Sequence, residues 1–124
     1  MSYLAFYGLT VIAVILIQVL AAAQQVGLST LIGNREGLTL TGFAGRMERA
    51  TNNSLLALTL VAPAILLTEL AESALIATDS LMLIFVVARI AYVALYALDI
   101  SWFRTAAWLV GFLSTTLLYL GLVA

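Results

Sequence analysis

Four runs of the chain are apolar at nearly every position, at residues 3–23, 53–68, 79–98 and 103–123. The first, YLAFYGLTVIAVILIQVLAAA, is broken only by Thr10 and Gln18. A helix crossing the hydrocarbon core of a bilayer needs about 20 predominantly apolar residues. The second run reaches such a length by extending towards the N-terminus through the more polar GRMERATN. The pattern predicts an all-α integral membrane protein: one domain over residues 1–124, a bundle of four transmembrane helices with no internal repeat and no low-complexity segment. The first helix is expected to be retained rather than cleaved as a leader. No positive charge precedes it, and its apolar run exceeds the usual 7–15 residues of a signal peptide core.

The polar positions collect between the first two runs, in QQVGLSTLIGNREGLTLTGFAGRMERATNN over residues 24–53. Gly27, Gly33, Gly37, Gly42 and Gly45 fall here, and chain of this kind forms loops and turns, up to about Thr41 or Gly42. From Phe43 the pattern becomes helical, with Thr41 as the expected N-cap. A connection this long in a compact bundle is usually functional or mobile. Pro63 lies inside the second helix and removes the hydrogen bond to the Thr59 carbonyl, which predicts a kink.

Composition turns the helix pattern into a membrane assignment. The chain has 124 residues, 65% hydrophobic and 9% charged, against about 45–50% and 25% in soluble domains. So small a globule cannot hide that much apolar surface. With no Cys and no His, disulfides, protein thiolates and the usual zinc or haem ligands are excluded. A net charge of −1 without Lys leaves no nucleic-acid footprint.

The few charges suggest an orientation. Arg35, Arg46 and Arg49 flank the first connection and Arg104 follows the third, while the second carries Glu69, Glu72 and Asp79. Arginine bias near helix ends places the first and third connections in the cytoplasm and both termini outside. Asp79 suits an N-cap, and Glu69 and Glu72 suit solvent.

Arg89 is the exception, because VVARIAYVALY places it about 15 Å inside its helix, counted from Asp99. A guanidinium at mid-bilayer costs about 2.5–3.5 kcal/mol on insertion scales, so it should face the bundle interior or a wet cavity. Tyr92 and Tyr96 stand at i+3 and i+7 from it, on one helical stripe. Arg46, Arg49 and Asn53 repeat that spacing on the second helix, and Arg104 begins the fourth. Together these donors would line a cationic pocket at the inner leaflet, suited to an anionic, hydrogen-bonding ligand. Plainer roles compete: headgroup anchors for Arg46, Arg49 and Arg104, an aromatic belt for Tyr92, Tyr96, Trp102 and Trp108, and an ion pair with Glu48 for Arg89.

GNREGL (33–38), GRMERATNN (45–53) with its Arg-x-x-x-Asn step, ARIAYVALY (88–96) and SWFRTAAW (101–108) resemble the MAPEG family, the membrane-associated proteins of eicosanoid and glutathione metabolism. The resemblance covers nearly the whole chain and is to the small bacterial members. It implies a homotrimer of four-helix subunits in the bacterial inner membrane, a glutathione-dependent transferase or peroxidase of the detoxification type. Glutathione, the co-substrate, would lie between subunits on the cytoplasmic side. By that resemblance Arg46, Arg49, Asn53, Arg89, Tyr92 and Tyr96 bind it. Arg104 is catalytic, facing the sulfur and favouring the thiolate for attack on a lipophilic electrophile dissolved in the lipid.

One position departs from the family pattern: the carboxylate common three residues after the motif asparagine is replaced by Leu56. The ligand's ammonium then lacks an acid unless Glu48 or Glu36 substitutes. This departure favours the alternative, a non-catalytic lipid- or anion-binding protein on the same scaffold. A small four-helix multidrug exporter ranks behind both, since cation-coupled export calls for a buried acid in the first helix and residues 3–23 contain none.

Overall fold

A computed structural model describes residues 2–33, 38–70 and 78–123. Five helices follow in order: α1 (Ser2–Val26), α2 (Leu28–Ile32), α3 (Gly42–Leu70), α4 (Thr78–Ala97) and α5 (Ser101–Val123). All except α2 are long and apolar enough to cross a membrane, and the described residues contain no strand. The chain is an integral membrane four-helix bundle. Arg35, Glu36 and Glu72, which carried part of the orientation and ligand arguments, lie outside the described residues.

The first connection is more ordered than its glycines suggest. Gly27 at φ +87° ends α1 and turns the chain into α2, five residues long. Leu31 of α2 packs with Ala22, Leu40 and Ala44, so the short helix is a lid over the junction of α1 and α3. Thr41 stands at the N-cap position expected from sequence, directly before α3, but no capping hydrogen bond to its hydroxyl is found among the described residues. Instead Gln25 clamps the Thr41 backbone: its Nε2 donates to the Thr41 carbonyl at 2.7 Å, and its Oε1 accepts from the Thr41 N–H at 2.9 Å. A side-chain amide offers a donor and an acceptor together, so Gln25 satisfies the Thr41 N–H and shares the Thr41 carbonyl with the Gly45 N–H, which donates to it at 3.1 Å. Gly45 packs so close to this turn that a Cβ would lie 2.7 Å from the Leu40 carbonyl oxygen.

α3 runs through Pro63 without a break, and Asp79 stands in the first turn of α4 rather than at its N-cap. α4 closes at Asp99, whose φ of +61° is left-handed. Ile100 N–H bonds the Leu95 carbonyl at 2.9 Å and Asp99 N–H that of Tyr96 at 3.1 Å. This is the Schellman pattern of helix ends, where glycine is the usual residue.

α1 packs against α3 and α4, and α5 against α4 and α3, with no close backbone approach between α1 and α5 among the described residues. Tyr7, Val61, Ile65, Met82, Phe85 and Leu118 form the central core. Tyr7 meets Phe85 edge-on at 4.9 Å and donates its hydroxyl to the Ser54 carbonyl at 3.1 Å, which satisfies a phenol in an otherwise apolar interior. The outer surface is lipid-like: Leu9, Leu16, Leu20, Leu67 and Leu120 are all exposed. The Gln25–Thr41 clamp joins the end of α1 to the start of α3. A hydrogen bond from Arg46 Nε to the Ala97 carbonyl (3.3 Å) joins the start of α3 to the end of α4. These ends, with the start of α5, therefore share one side of the bundle.

Candidate functional site

Tyr96, in the last turn of α4, is the centre of the arginine-bearing end. Arg49 Nε donates to its hydroxyl at 3.0 Å, and the Arg104 guanidinium lies over its ring at 4.3 Å from the centroid. Their positions follow from helix geometry: Arg49 is on the second turn of α3, Arg104 on the first of α5, and both starts abut the end of α4. A cation on an aromatic face contributes about 0.5–1 kcal/mol when exposed and about 2 when desolvated. Tyr96 thus holds two like charges beside one another, and no described acid pairs with either.

The stripe continues inward. Tyr92 meets Tyr96 edge-on at 5.6 Å, and the Arg89 guanidinium lies 4.4 Å from the Tyr92 centroid. The i, i+3, i+7 spacing has become a ladder of alternating rings and cations. Arg46 departs from it: its Nε faces the Ala97 carbonyl, so its charge sits at the negative end of α4.

Arg89 is 2% exposed, and its Nε and Nη2 have no hydrogen-bond partner among the described residues. The ion pair with Glu48 weighed from sequence is not formed; Glu48 is exposed on α3. The Arg89 stem, packed on Gly111, instead lines a cavity of about 240 Å³ between α3, α4 and α5, while its guanidinium stays over Tyr92. α3 contributes Asn53, Leu56, Ala57 and Leu60; α4 contributes Phe85 and Arg89; α5 contributes Trp108, Gly111, Phe112, Thr115, Thr116 and Tyr119. Trp108 and Phe112 stack at 5.2 Å. Thr115 and Thr116 donate their hydroxyls to carbonyls of their own helix, at 3.0 and 2.9 Å. The half-buried Asn53 amide has no partner among the described residues.

All seven residues singled out from sequence therefore lie along one path, but at three levels. Arg49, Tyr96 and Arg104 form a cationic mouth, with Arg46 at its edge. Tyr92 is the next rung, and Arg89 and Asn53 belong to the cavity below. Sequence reasoning missed Gly111. A Cβ there would come within 3.1 Å of Arg89 Cδ, so the missing side chain seats the arginine stem. Trp108, read from sequence as a belt residue, is a cavity wall. The signal was present in the spacing of Arg104, Trp108, Gly111 and Thr115, which is helical and begins at the mouth.

In comparisons with known proteins, residues 3–124 match the model of the MAPEG family. No curated protein and no solved structure matches.

Proposed function

Because the chain belongs to the MAPEG family, membrane proteins of glutathione and eicosanoid metabolism, we propose that it is a homotrimeric transferase joining the glutathione thiol to lipophilic electrophiles. The observation that carries this is the pair Arg49 and Arg104 on Tyr96, two guanidiniums with no described acid to neutralise them. Such a mouth favours an anion. Glutathione offers two carboxylates and a thiol whose ordinary pKa is near 8.5, and a nearby guanidinium favours the nucleophilic thiolate.

Arg49 and Asn53 would hold carboxylate and backbone groups, with Arg46, Tyr92 and Tyr96 around them. Arg104 would keep the sulfur ionised while it forms the new bond to carbon and the electrophile's leaving group departs. The fit is incomplete at the ammonium. Leu56 lines the cavity and is 58% exposed where family members carry an acid. That residue supports the second reading, a non-catalytic lipid- or anion-binding protein.

Calorimetry of the purified protein with glutathione separates the two, followed by turnover with an activated aryl halide. The expected result is saturable binding to a three-chain particle. Arg104→Ala should then lower kcat at pH 7 by about 10–30-fold, since a thiol with an ordinary pKa near 8.5 is only a few per cent thiolate there, and change binding little. No heat with glutathione, or a stable monomer, would overturn the transferase reading.

A further inference from the structure

We propose that the arginine-bearing end of the bundle is sunk into the headgroup layer of a phospholipid leaflet, held there by two apolar footings, the α4–α5 turn and α2. In and beside the turn, Leu98, Ile100, Trp102 and Phe103 are exposed, Trp102 at 87%. In α2, Leu28 and Ile32 are exposed one helical turn apart, Ile32 at 78%, while Leu31 packs inward. Large apolar side chains grouped in this way mark a surface that another body covers. Asp99 and Ser101 alternate with the apolar residues of the turn and are exposed too, so the turn carries groups for both lipid and water.

Helix length says what covers the footings. α4 has 20 residues and, at 1.5 Å each, is about 30 Å long, the thickness of the hydrocarbon core alone. It cannot carry its own ends clear of the bilayer, and any tilt draws them further in. The turn that follows therefore lies where acyl chains meet headgroups. On α5, Leu109 and Val110 follow Trp102 and Phe103 at i+7, on the same helical stripe, and are exposed, so the turn's surface runs on into the span. α1 has 25 residues, about 37 Å, and could leave the core, yet the chain folds back. Leu31 of α2 packs on Ala22, one turn before the end of α1. Charge agrees with this depth. Arg46, bonded to the Ala97 carbonyl, stands level with the end of α4. Guanidiniums there meet lipid phosphates, and tryptophan favours the same layer. This seat does not depend on what the mouth binds.

Two reporters test the two footings separately. In Trp108→Phe, Trp102 is the one tryptophan left of the chain's two. With the full chain reconstituted in phosphatidylcholine vesicles, a nitroxide near the glycerol end of the lipid acyl chains should quench Trp102 at least twofold more than one near the methyl end. Iodide on both faces of the vesicles should quench it less than one third as well as free tryptophan. The chain has no cysteine, so Ile32→Cys carrying a nitrobenzoxadiazole maleimide reports α2 with both tryptophans in place. The same order of quenching is expected there, with the free dye as the iodide reference, and this arm stands if Trp108→Phe does not fold. Full iodide quenching without nitroxide quenching at either position would put that footing in water. Protection from both quenchers would mean that a second copy of the chain covers it, and stronger quenching by the deeper nitroxide would bury it below the headgroups. Each of these three results overturns the proposal.

Discussion

Arg89 shows how one side chain can be unfavourable for the fold and still be retained. Its position costs about 2.5–3.5 kcal/mol on insertion scales, and contact with the Tyr92 ring offsets at most about 2 kcal/mol of that. No described acid would be orphaned by its removal. Arg89→Leu should therefore raise unliganded stability by about 0.5–1.5 kcal/mol, read as the midpoint of thermal unfolding in detergent. A loss of 3 kcal/mol or more would mean that the guanidinium has a structural partner. Leu56 makes the opposite case, an apolar residue where the proposed ligand wants charge. Leu56→Glu should tighten glutathione binding about tenfold, the worth of one charged hydrogen bond of roughly 1.5 kcal/mol. Unchanged calorimetric affinity in a folded variant would place the ammonium elsewhere. Arg89 was legible because a charge in an apolar run breaks a pattern, whereas Leu56 stood out only against the family resemblance, since a leucine in a membrane helix breaks none. Gly111 breaks none, because a small residue in a membrane helix fits many surroundings and only the position of Arg89 Cδ gives it meaning.

At the scale of elements, the spans were legible and their joints were not. Runs of apolar residues report the solvent around a helix, whereas a joint depends on which backbone groups meet in space. Thus α2 was hidden among glycines, and the Gln25 clamp on Thr41 joins residues that no local pattern connects. Two glycines test this distinction. A Cβ at Gly45 would meet the Leu40 carbonyl at 2.7 Å, while one at Gly8 meets nothing within 4 Å. Gly8→Ala should stabilise by about 0.5–1 kcal/mol through helix propensity. Gly45→Ala should destabilise by more than about 1 kcal/mol, in the range of overpacking, and loosen the start of α3 that carries Arg46 and Arg49. Thermal midpoints of the pair should move in opposite directions; movement in the same direction would refute the tight joint. Asp99 offers a second test, since it holds a left-handed conformation at the end of α4 and puts an acid near the negative pole of that helix. Asp99→Gly should raise the midpoint, by about 0.5–1 kcal/mol in stability. A lower midpoint would mean that the carboxylate itself supports the turn.

For the whole molecule, the question is which side of the membrane receives the cationic mouth. The Arg46–Ala97 and Gln25–Thr41 bonds fix the starts of α3 and α5 and the ends of α1 and α4 to one side. That side bears Arg46, Arg49 and Arg104, while Glu69 and Asp79 stand near the other ends of α3 and α4. Arginines near helix ends favour the cytoplasm by the positive-inside rule, and the cytoplasm is where the glutathione pool is found. The two arguments are independent, one of insertion and one of chemistry, and they agree. Because the chain has no cysteine, single cysteines report sidedness without background. Ser80 and Ser101 are exposed, at the starts of α4 and α5. In intact cells a membrane-impermeant maleimide should label Ser80→Cys and spare Ser101→Cys, which should react once the cells are opened. The reverse labelling would put Arg49, Tyr96 and Arg104 outside, away from cytosolic thiol, and would remove the basis for a glutathione transferase.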